Sequence, residues 1–446
     1  MQNFRCFADC DLDLHPELTV LVAENGRGKT AVLDAIGIAL GPYIDVLAGA
    51  KQARRLSLAD VRLVRGQDGV MRPSLPTAFT AEGLVDGNEL LWSSSLRQAK
   101  PRSRATKKKT EALRNLAQKV RERVTVSAVQ DAEPPTLPIV AFYSTGRLWS
   151  EGRSANVPSR YGEITHSRFS GYADCLSTSS SFNGMVTWYE NKMNETRDPR
   201  FSGELQQTLP LIASVQEATR AVLQPSGWCE LSWDFEKRTL VVGHQDHGLL
   251  PLSMLSDGVR NMVALIADIA RRCAALNPHL NNEAAKRTPG VVLIDEVDMH
   301  LHPRWQQLVI GLLRSAFPSM QMIVSTHSPH VLSTVDAESI RVIRLSDGHG
   351  VIDLPTFQTR GIESADILAK VMDVDPVPQV EQSEWLSDYR ALIQTGEYES
   401  VGGRQLWERL VGHFGSEHPV LIEAAALRRL QEFKQSHRIE TEGRGG

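Results

Sequence analysis

Leu18-Thr-Val-Leu-Val-Ala-Glu-Asn-Gly-Arg-Gly-Lys-Thr30 passes in thirteen residues from an apolar run to a glycine-broken loop and then to Lys-Thr. The run Leu18 to Val22 predicts a buried strand. After Thr30, Ala31-Val-Leu-Asp-Ala-Ile-Gly-Ile-Ala-Leu40 predicts a helix ending at Gly41-Pro42. Strand, glycine loop, Lys-Thr and helix is the order of a phosphate-cradling P-loop. Gly26 and Gly28 let the backbone N–H groups of Gly26 to Thr30 curl round phosphate oxygens, and the helix N-terminus adds a positive dipole. Lys29 can then reach the β- and γ-phosphates, and the Thr30 hydroxyl takes a Mg²⁺ position. Two residues depart from the template, which has Gly at the position of Ala23 and a small residue at that of Arg27.

Working outward, three further pieces follow in order. Leu255-Ser-Asp-Gly258 opens a segment with an apolar face of Met262, Val263, Ile266 and Ile269, which predicts a helix capped by Ser256 or Asp257. Gly290-Val-Val-Leu-Ile-Asp-Glu296 predicts a central parallel strand buried on both faces, with Asp295 and Glu296 emerging at its carboxyl end. There Asp295 would hold Mg²⁺ through water and Glu296 would polarise an attacking water. Met320-Gln-Met-Ile-Val-Ser-Thr-His-Ser-Pro329 predicts a strand ending on His327, placed to reach a γ-phosphate. His300 and His302, with His330, offer only one H-x-H without thiolates or a matching carboxylate set, a weak metal pattern.

At 446 residues, 41% hydrophobic and 23% charged, the chain suits a globular protein of two or three domains. Its net charge of −4 excludes a global nucleic-acid signature, so any such surface must be a local patch. Cys6, Cys10, Cys175, Cys229 and Cys273 form no CxxC pair, which argues for a reducing compartment and against a disulfide framework. No signal peptide is visible and no run approaches the ~18 apolar residues of a membrane span, so a cytoplasmic location without membrane contact is expected.

Short strands are predicted at Phe4–Phe7 and Leu12–Leu14, and an antiparallel β insert over residues 60–97 around the turn Asp86-Gly-Asn88. Residues 98–230 read as a largely helical and loop lobe. Arg97 to Arg123 carries eleven basic and two acidic residues, either a solvated helix or mobile loop or a surface for nucleic-acid phosphates. Leu137–Tyr143 reads as a buried strand and residues 150–180 as a long mobile loop. Helices are expected at Phe182–Glu195 and Gly203–Leu223, then strands at Glu230–Phe235 and Thr239–Val242. In the tail, three helical faces follow: Trp385, Leu386, Tyr389, Leu392 and Ile393; Leu406, Trp407 and Leu410; Leu427, Leu430 and Phe433. Asp373-Val-Asp375 reads as a turn before Pro376.

Together the four pieces resemble an ABC-type ATPase head of the RecF, SMC and OLD group. The resemblance implies an α/β P-loop NTPase fold, a mixed, largely parallel sheet with the antiparallel insert and helical lobe, over residues 1–345. A C-terminal helical, partner-binding domain would fill residues 346–446. Ala23, Glu24, Asn25, Gly26, Arg27, Gly28, Lys29, Thr30 and Ala31 would bind ATP, with Mg²⁺ on Thr30 and Asp295. Lys29, Glu296 and His327 would serve hydrolysis. Ser256, Asp257 and Gly258 would be the signature, acting in trans in a head-to-tail dimer or higher oligomer. Asp257 stands where many relatives have Gly, and no clear Q-loop glutamine is present: Gln130 is poorly placed, and the Tyr143–Arg147 loop lies nearer the expected position. The short interval from Thr30 to Ser256 lacks heptads, which sets the chain apart from SMC-type heads. Family chains usually carry more residues before the first strand, implying an earlier natural start. The tail and the Ala141-Phe-Tyr-Ser-Thr-Gly-Arg-Leu-Trp149 stretch resemble the PtuA ATPases of Septu-type and retron-associated anti-phage systems. That resemblance implies a separate HNH-type nuclease as partner. A RecF-like DNA-repair ATPase is the alternative.

Overall fold

The computed structural model describes residues 1–49, 53–98, 108–130, 132–147, 167–177, 182–346 and 348–442. The middle of the expected 150–180 loop, Trp149 and the Lys100–Lys107 part of the basic stretch lie outside the described residues.

A six-stranded sheet carries the chemistry. Its order is His349–Asp353, Ile340–Ser346, Leu18–Val22, Met320–Thr326, Gly290–Ile294, Ile139–Tyr143. All neighbours are parallel except the antiparallel first pair. Leu18–Val22 is buried at every residue, as are Ile139–Tyr143 and the last three residues of Gly290–Ile294. A strand covered on both faces requires such unbroken apolar runs. The register sets Val22 against Thr326, Val324 against Ile294 and Ile294 against Tyr143. The four strands therefore end at nearly one level, where ligands bind in open α/β sheets.

Helix α1 (Lys29–Leu47) does not stop at Gly41-Pro42 but runs through both. Tyr43, Ile44 and Leu47 beyond the proline are buried, and that tertiary burial outweighs the missing N–H of Pro42. A Cβ on Gly41 would lie 2.8 Å from the Ala53 Cβ, so the glycine admits the returning chain. Contrary to expectation, α1 is long and apolar enough to cross a membrane by length and composition alone. Yet 67% of that apolar window is buried in the protein, and α1 is the core helix beneath the P-loop.

The first predicted strand is two, Gln2–Phe4 and Phe7–Asp9, because the chain reverses at Arg5 (φ 48°). No strand forms at Leu12–Leu14. Thr77–Val85 and Asn88–Leu96 pair across Asp86-Gly87, both at positive φ as an Asp-Gly hairpin turn requires, and join Gln2–Phe4 in a four-stranded antiparallel sheet. A smaller antiparallel sheet contains Trp228–Asp234, Thr239–His244 and Gly248–Pro251. Helix α2 (Glu111–Gln130) buries Leu113, Ala117, Val120 and Val124, while α3 (Phe182–Glu195) and α4 (Leu205–Leu223) form the lobe. Helix α5 (Asp257–Leu276) buries Met262, Val263, Ile266 and Ile269, the predicted face.

The chain divides into Met1–Met372 and Asp373–Gly446, so the first unit runs past the expected boundary at residue 345. The hydrogen-bonded His349–Asp353 strand and the buried Ile367 and Val371 belong to it. The second unit is three helices, Glu381–Thr395, Val401–Phe414 and Pro419–Glu442, around Tyr389, Ile393, Tyr398, Leu410, Leu421 and Ala424. Leu427, Leu430 and Phe433 are not its core. They stay 40%, 50% and 58% exposed, because the third helix turns another face inward: Leu421 and Ala424 are buried, and Gln431 and Glu432 bond to Gln394 and Tyr398. Asp375 accepts hydrogen bonds from the Val377 N–H and the Gln379 side chain, a local turn.

Candidate functional site

The P-loop lies on the N-terminal hairpin. Gly28 has φ +108°, and a Cβ there would sit 2.5 Å from the Cys6 Sγ and 3.0 Å from the Phe7 ring, so conformation and space both demand glycine. Gly26, at φ +77°, needs glycine for conformation alone. Arg27 fits the loop by turning outward onto Glu24, 2.7 Å away. Lys29 is 6% exposed, and its Nζ donates to the carbonyls of Ala23 (2.8 Å) and Glu24 (3.1 Å). Burial lowers its pKa, while Asp295, Glu296 and Asp298 oppose that fall.

Asp295 meets the P-loop directly. The Thr30 hydroxyl donates to its Oδ2 at 2.7 Å, Ser325 Oγ donates to its Oδ1 at 2.5 Å, and its N–H donates to the Tyr143 carbonyl at 2.8 Å. Glu296 follows at φ 48°, left-handed backbone that costs a non-glycine residue about 1–2 kcal/mol. Its N–H donates to Ser325 Oγ at 2.8 Å, and the Val297 N–H to the Ser325 carbonyl at 2.9 Å. Asp298 accepts from Thr326 Oγ1 at 2.6 Å. His327 is half-buried, and burial first, then Lys29, lower its pKa against the pull of the three carboxylates, which favours the neutral imidazole.

Ser256 is the N-cap of α5, but its hydroxyl makes no capping bond, and both Ser256 and Asp257 are exposed. Asp257 pairs with Arg260. A Cβ on Gly258 would come within 2.5 Å of the His300 carbonyl, so α5 starts against the loop that follows the acidic run. The fold thus bonds Thr30 to Asp295 and brings Lys29, Glu296 and His327 within electrostatic reach of it, whereas a Cβ on Gly258 would meet His300 and Leu301.

A buried charge cluster joins the body of α5 to the sheet. Asp268 accepts from Tyr143 Oη (2.8 Å), Arg271 (2.9 and 2.7 Å) and Arg272 (2.7 Å). Arg272 also donates to the carbonyls of Gly171 and Ala173. Burial pushes the Asp268 carboxyl up, but the two guanidiniums prevail and hold it well below the usual range. Sequence reasoning missed this cluster. The i, i+3 and i, i+4 spacing of Asp268, Arg271 and Arg272 was its only signal. Ser325, Thr326 and Asp298 were also missed as contributors.

Of the described basic stretch, Arg121 donates to the Val46 carbonyl (3.0 Å) and Arg123 pairs with Asp86, whereas Lys109 and Lys119 are exposed. Gln130 ends α2. His302 Nδ1 accepts from the Arg304 N–H, an N-capping role. The described cysteines are all free.

A glycine loop, a buried P-loop lysine and a threonine hydroxyl bonded to a strand-end aspartate, all at the carboxyl edge of a parallel sheet, define a P-loop ATPase head. More specifically, the family described as "AAA domain, putative AbiEii toxin, Type IV TA system" matches residues 18–333, more than half of the sequence, and the chain belongs to it. It is similar to the Retron Vc95 probable ATPase of Vibrio cholerae serotype O1 biovar El Tor, 42% identical over 146 residues, which are 32% of this chain and 28% of that one. The Retron Ec83 probable ATPase of Escherichia coli is 37% identical over 175 residues, 39% and 31% of the two chains. The Septu protein PtuA of Bacillus thuringiensis is 24% identical over 159 residues, 35% and 40% of the two. The matched segments thus span about three tenths of the retron relatives' length. Among solved structures, an SMC head bound to the C-winged helix domain of ScpA is 14% identical with a TM-score of 0.46, over 79% of this chain and 95% of that one.

Proposed function

We propose that the chain binds ATP with Mg²⁺, hydrolyses it, and uses the nucleotide to form a head-to-tail dimer that governs a separate HNH-type nuclease in bacterial anti-phage defence. The observation that carries the hydrolysis is the 2.7 Å bond between the Thr30 hydroxyl and the Asp295 carboxylate, the two groups that would hold Mg²⁺, Asp295 through water. Bound there, Mg²⁺ would neutralise charge on the β- and γ-phosphates. Lys29 exchanges the Ala23 and Glu24 carbonyls for phosphate oxygens. Gly26 to Thr30 offer backbone N–H groups to the same oxygens. Glu296 accepts the proton of the attacking water, and neutral His327 donates to the γ-phosphate. The exposed Ser256 and Asp257 with Gly258 are the surface offered to the partner protomer's nucleotide.

Phosphate release and sizing of Glu296→Gln test this. Wild type should turn over with MgATP, and Glu296→Gln should not turn over but should accumulate as a dimer. A variant that stays monomeric with MgATP removes the dimer from the reading. The names of the retron and Septu relatives support the defence role. A stoichiometric HNH nuclease recovered with tagged protein in ATP would establish it. The exposed Lys109 and Lys119 favour a second reading, a RecF-like ATPase on duplex DNA. Its mark would be duplex binding that weakens steeply with salt.

A further inference from the structure

The chain after Asp295 folds over the end of the Met320–Thr326 strand. Consecutive strand residues face opposite sides of a sheet, yet Ser325 and Thr326 both bond to the same acidic run. Ser325 Oγ holds Asp295 and the Glu296 N–H, its carbonyl takes the Val297 N–H, and Thr326 Oγ1 holds Asp298. The left-handed Glu296 is the hinge that carries the run from one side to the other. Thr326 Oγ1 also accepts the Ser328 N–H at 2.9 Å, closing the turn that contains His327. One hydroxyl therefore sets the position of Asp298 relative to His327, and the other sets Glu296 relative to Asp295.

We propose that Ser325 and Thr326 are positioning residues for hydrolysis, a strand-end hydroxyl pair that sets Glu296 and His327 around the γ-phosphate without touching nucleotide. This rests on the ATPase reading above. Thr326 bonds to Asp298 and the Ser328 N–H and to no P-loop residue, so loss of its hydroxyl should leave nucleotide binding nearly intact and slow the chemical step.

The test is steady-state turnover of Thr326→Val, which keeps shape and removes the hydroxyl, beside Thr326→Ser, which keeps the hydroxyl. Wild type and Glu296→Gln run in the same assay, and melting temperatures are measured throughout. Thr326→Val should lose about ten- to a hundredfold in kcat with KM for ATP changed less than about threefold, because small misplacements of reacting groups have effects of that size. Thr326→Ser should recover most of the kcat at a similar melting temperature. A Thr326→Val kcat equal to wild type overturns the proposal, as does a Thr326→Ser variant no better than Thr326→Val. If wild type itself turns over no faster than Glu296→Gln, the ATPase reading falls and the proposal with it.

Discussion

The P-loop and the start of α5, the two regions proposed to serve the nucleotide, are built differently. At the P-loop end Lys29, Thr30, Asp295 and Ser325 are bonded to one another or to nearby carbonyls, and Lys29 and Asp295 are 6% and 1% exposed. At the proposed signature end Ser256 stands exposed at a helix N-terminus with no capping bond, and Asp257 is exposed beside it. A site finished within one chain differs from a surface whose polar groups face outward, and that contrast favours a partner at the second. The link between them is buried: Asp268 on α5 bonds to Tyr143, whose carbonyl receives the Asp295 N–H.

That link gives the largest expected effect. Asp268→Asn would leave Arg271 and Arg272 buried without their counter-charge, and should cost about 3–5 kcal/mol of stability in denaturant unfolding. A near-neutral result would mean that the two ends are not coupled through this cluster. The pH dependence has a definite sign. Because the folded pKa of Asp268 is depressed, its contribution is fully present above the unfolded carboxylate value, about 3.9, and is lost as pH falls below it.

Next, Lys29→Ala should lower turnover by about a hundred- to a thousandfold, the scale on which single charge-stabilising donors act. Phosphate release measures it, and a smaller loss would mean that the P-loop end is less self-contained than its contacts indicate. Gly258→Ala is the intermediate case. Its methyl would collide with the His300 carbonyl, so unfolding should show a loss of about 1–3 kcal/mol and weaker ATP-driven association. The smallest effect on stability, and the sharpest test of the contrast, is Ser256→Ala. With no capping bond to lose it should stay within about 0.5 kcal/mol of wild type while losing ATP-driven association by sedimentation. A destabilised Ser256→Ala would make this serine an ordinary cap.

Local signals carried far where chemistry imposes local spacing. Glycines at Gly26 and Gly28, Lys29-Thr30, and the apolar run before Asp295-Glu296 were readable because a phosphate cradle and a doubly buried strand each need particular residues in sequence. The Asp86-Gly87 turn and the buried face of α5 were readable for the same reason. Where burial supplied by distant segments decided the outcome, the reading failed. Pro42 signalled a helix end, but the core beyond it kept α1 going. Leu427, Leu430 and Phe433 have helical spacing, but spacing does not say which face the neighbouring helices cover, and they cover that of Leu421 and Ala424.

By itself, then, the sequence determined the P-loop ATPase class, the order of its strands' motifs and the acids at the sheet edge, since these depend on neighbours along the chain. Only the tertiary structure decided that Thr30 meets Asp295 across 265 positions, that Ser325 and Thr326 clamp the acidic run, and that Asp268 ties α5 to Tyr143. Those pairings follow from sheet order and register, which bring the ends of separately coded strands to one level. Hydroxyls and carboxylates far apart in the chain become partners only there.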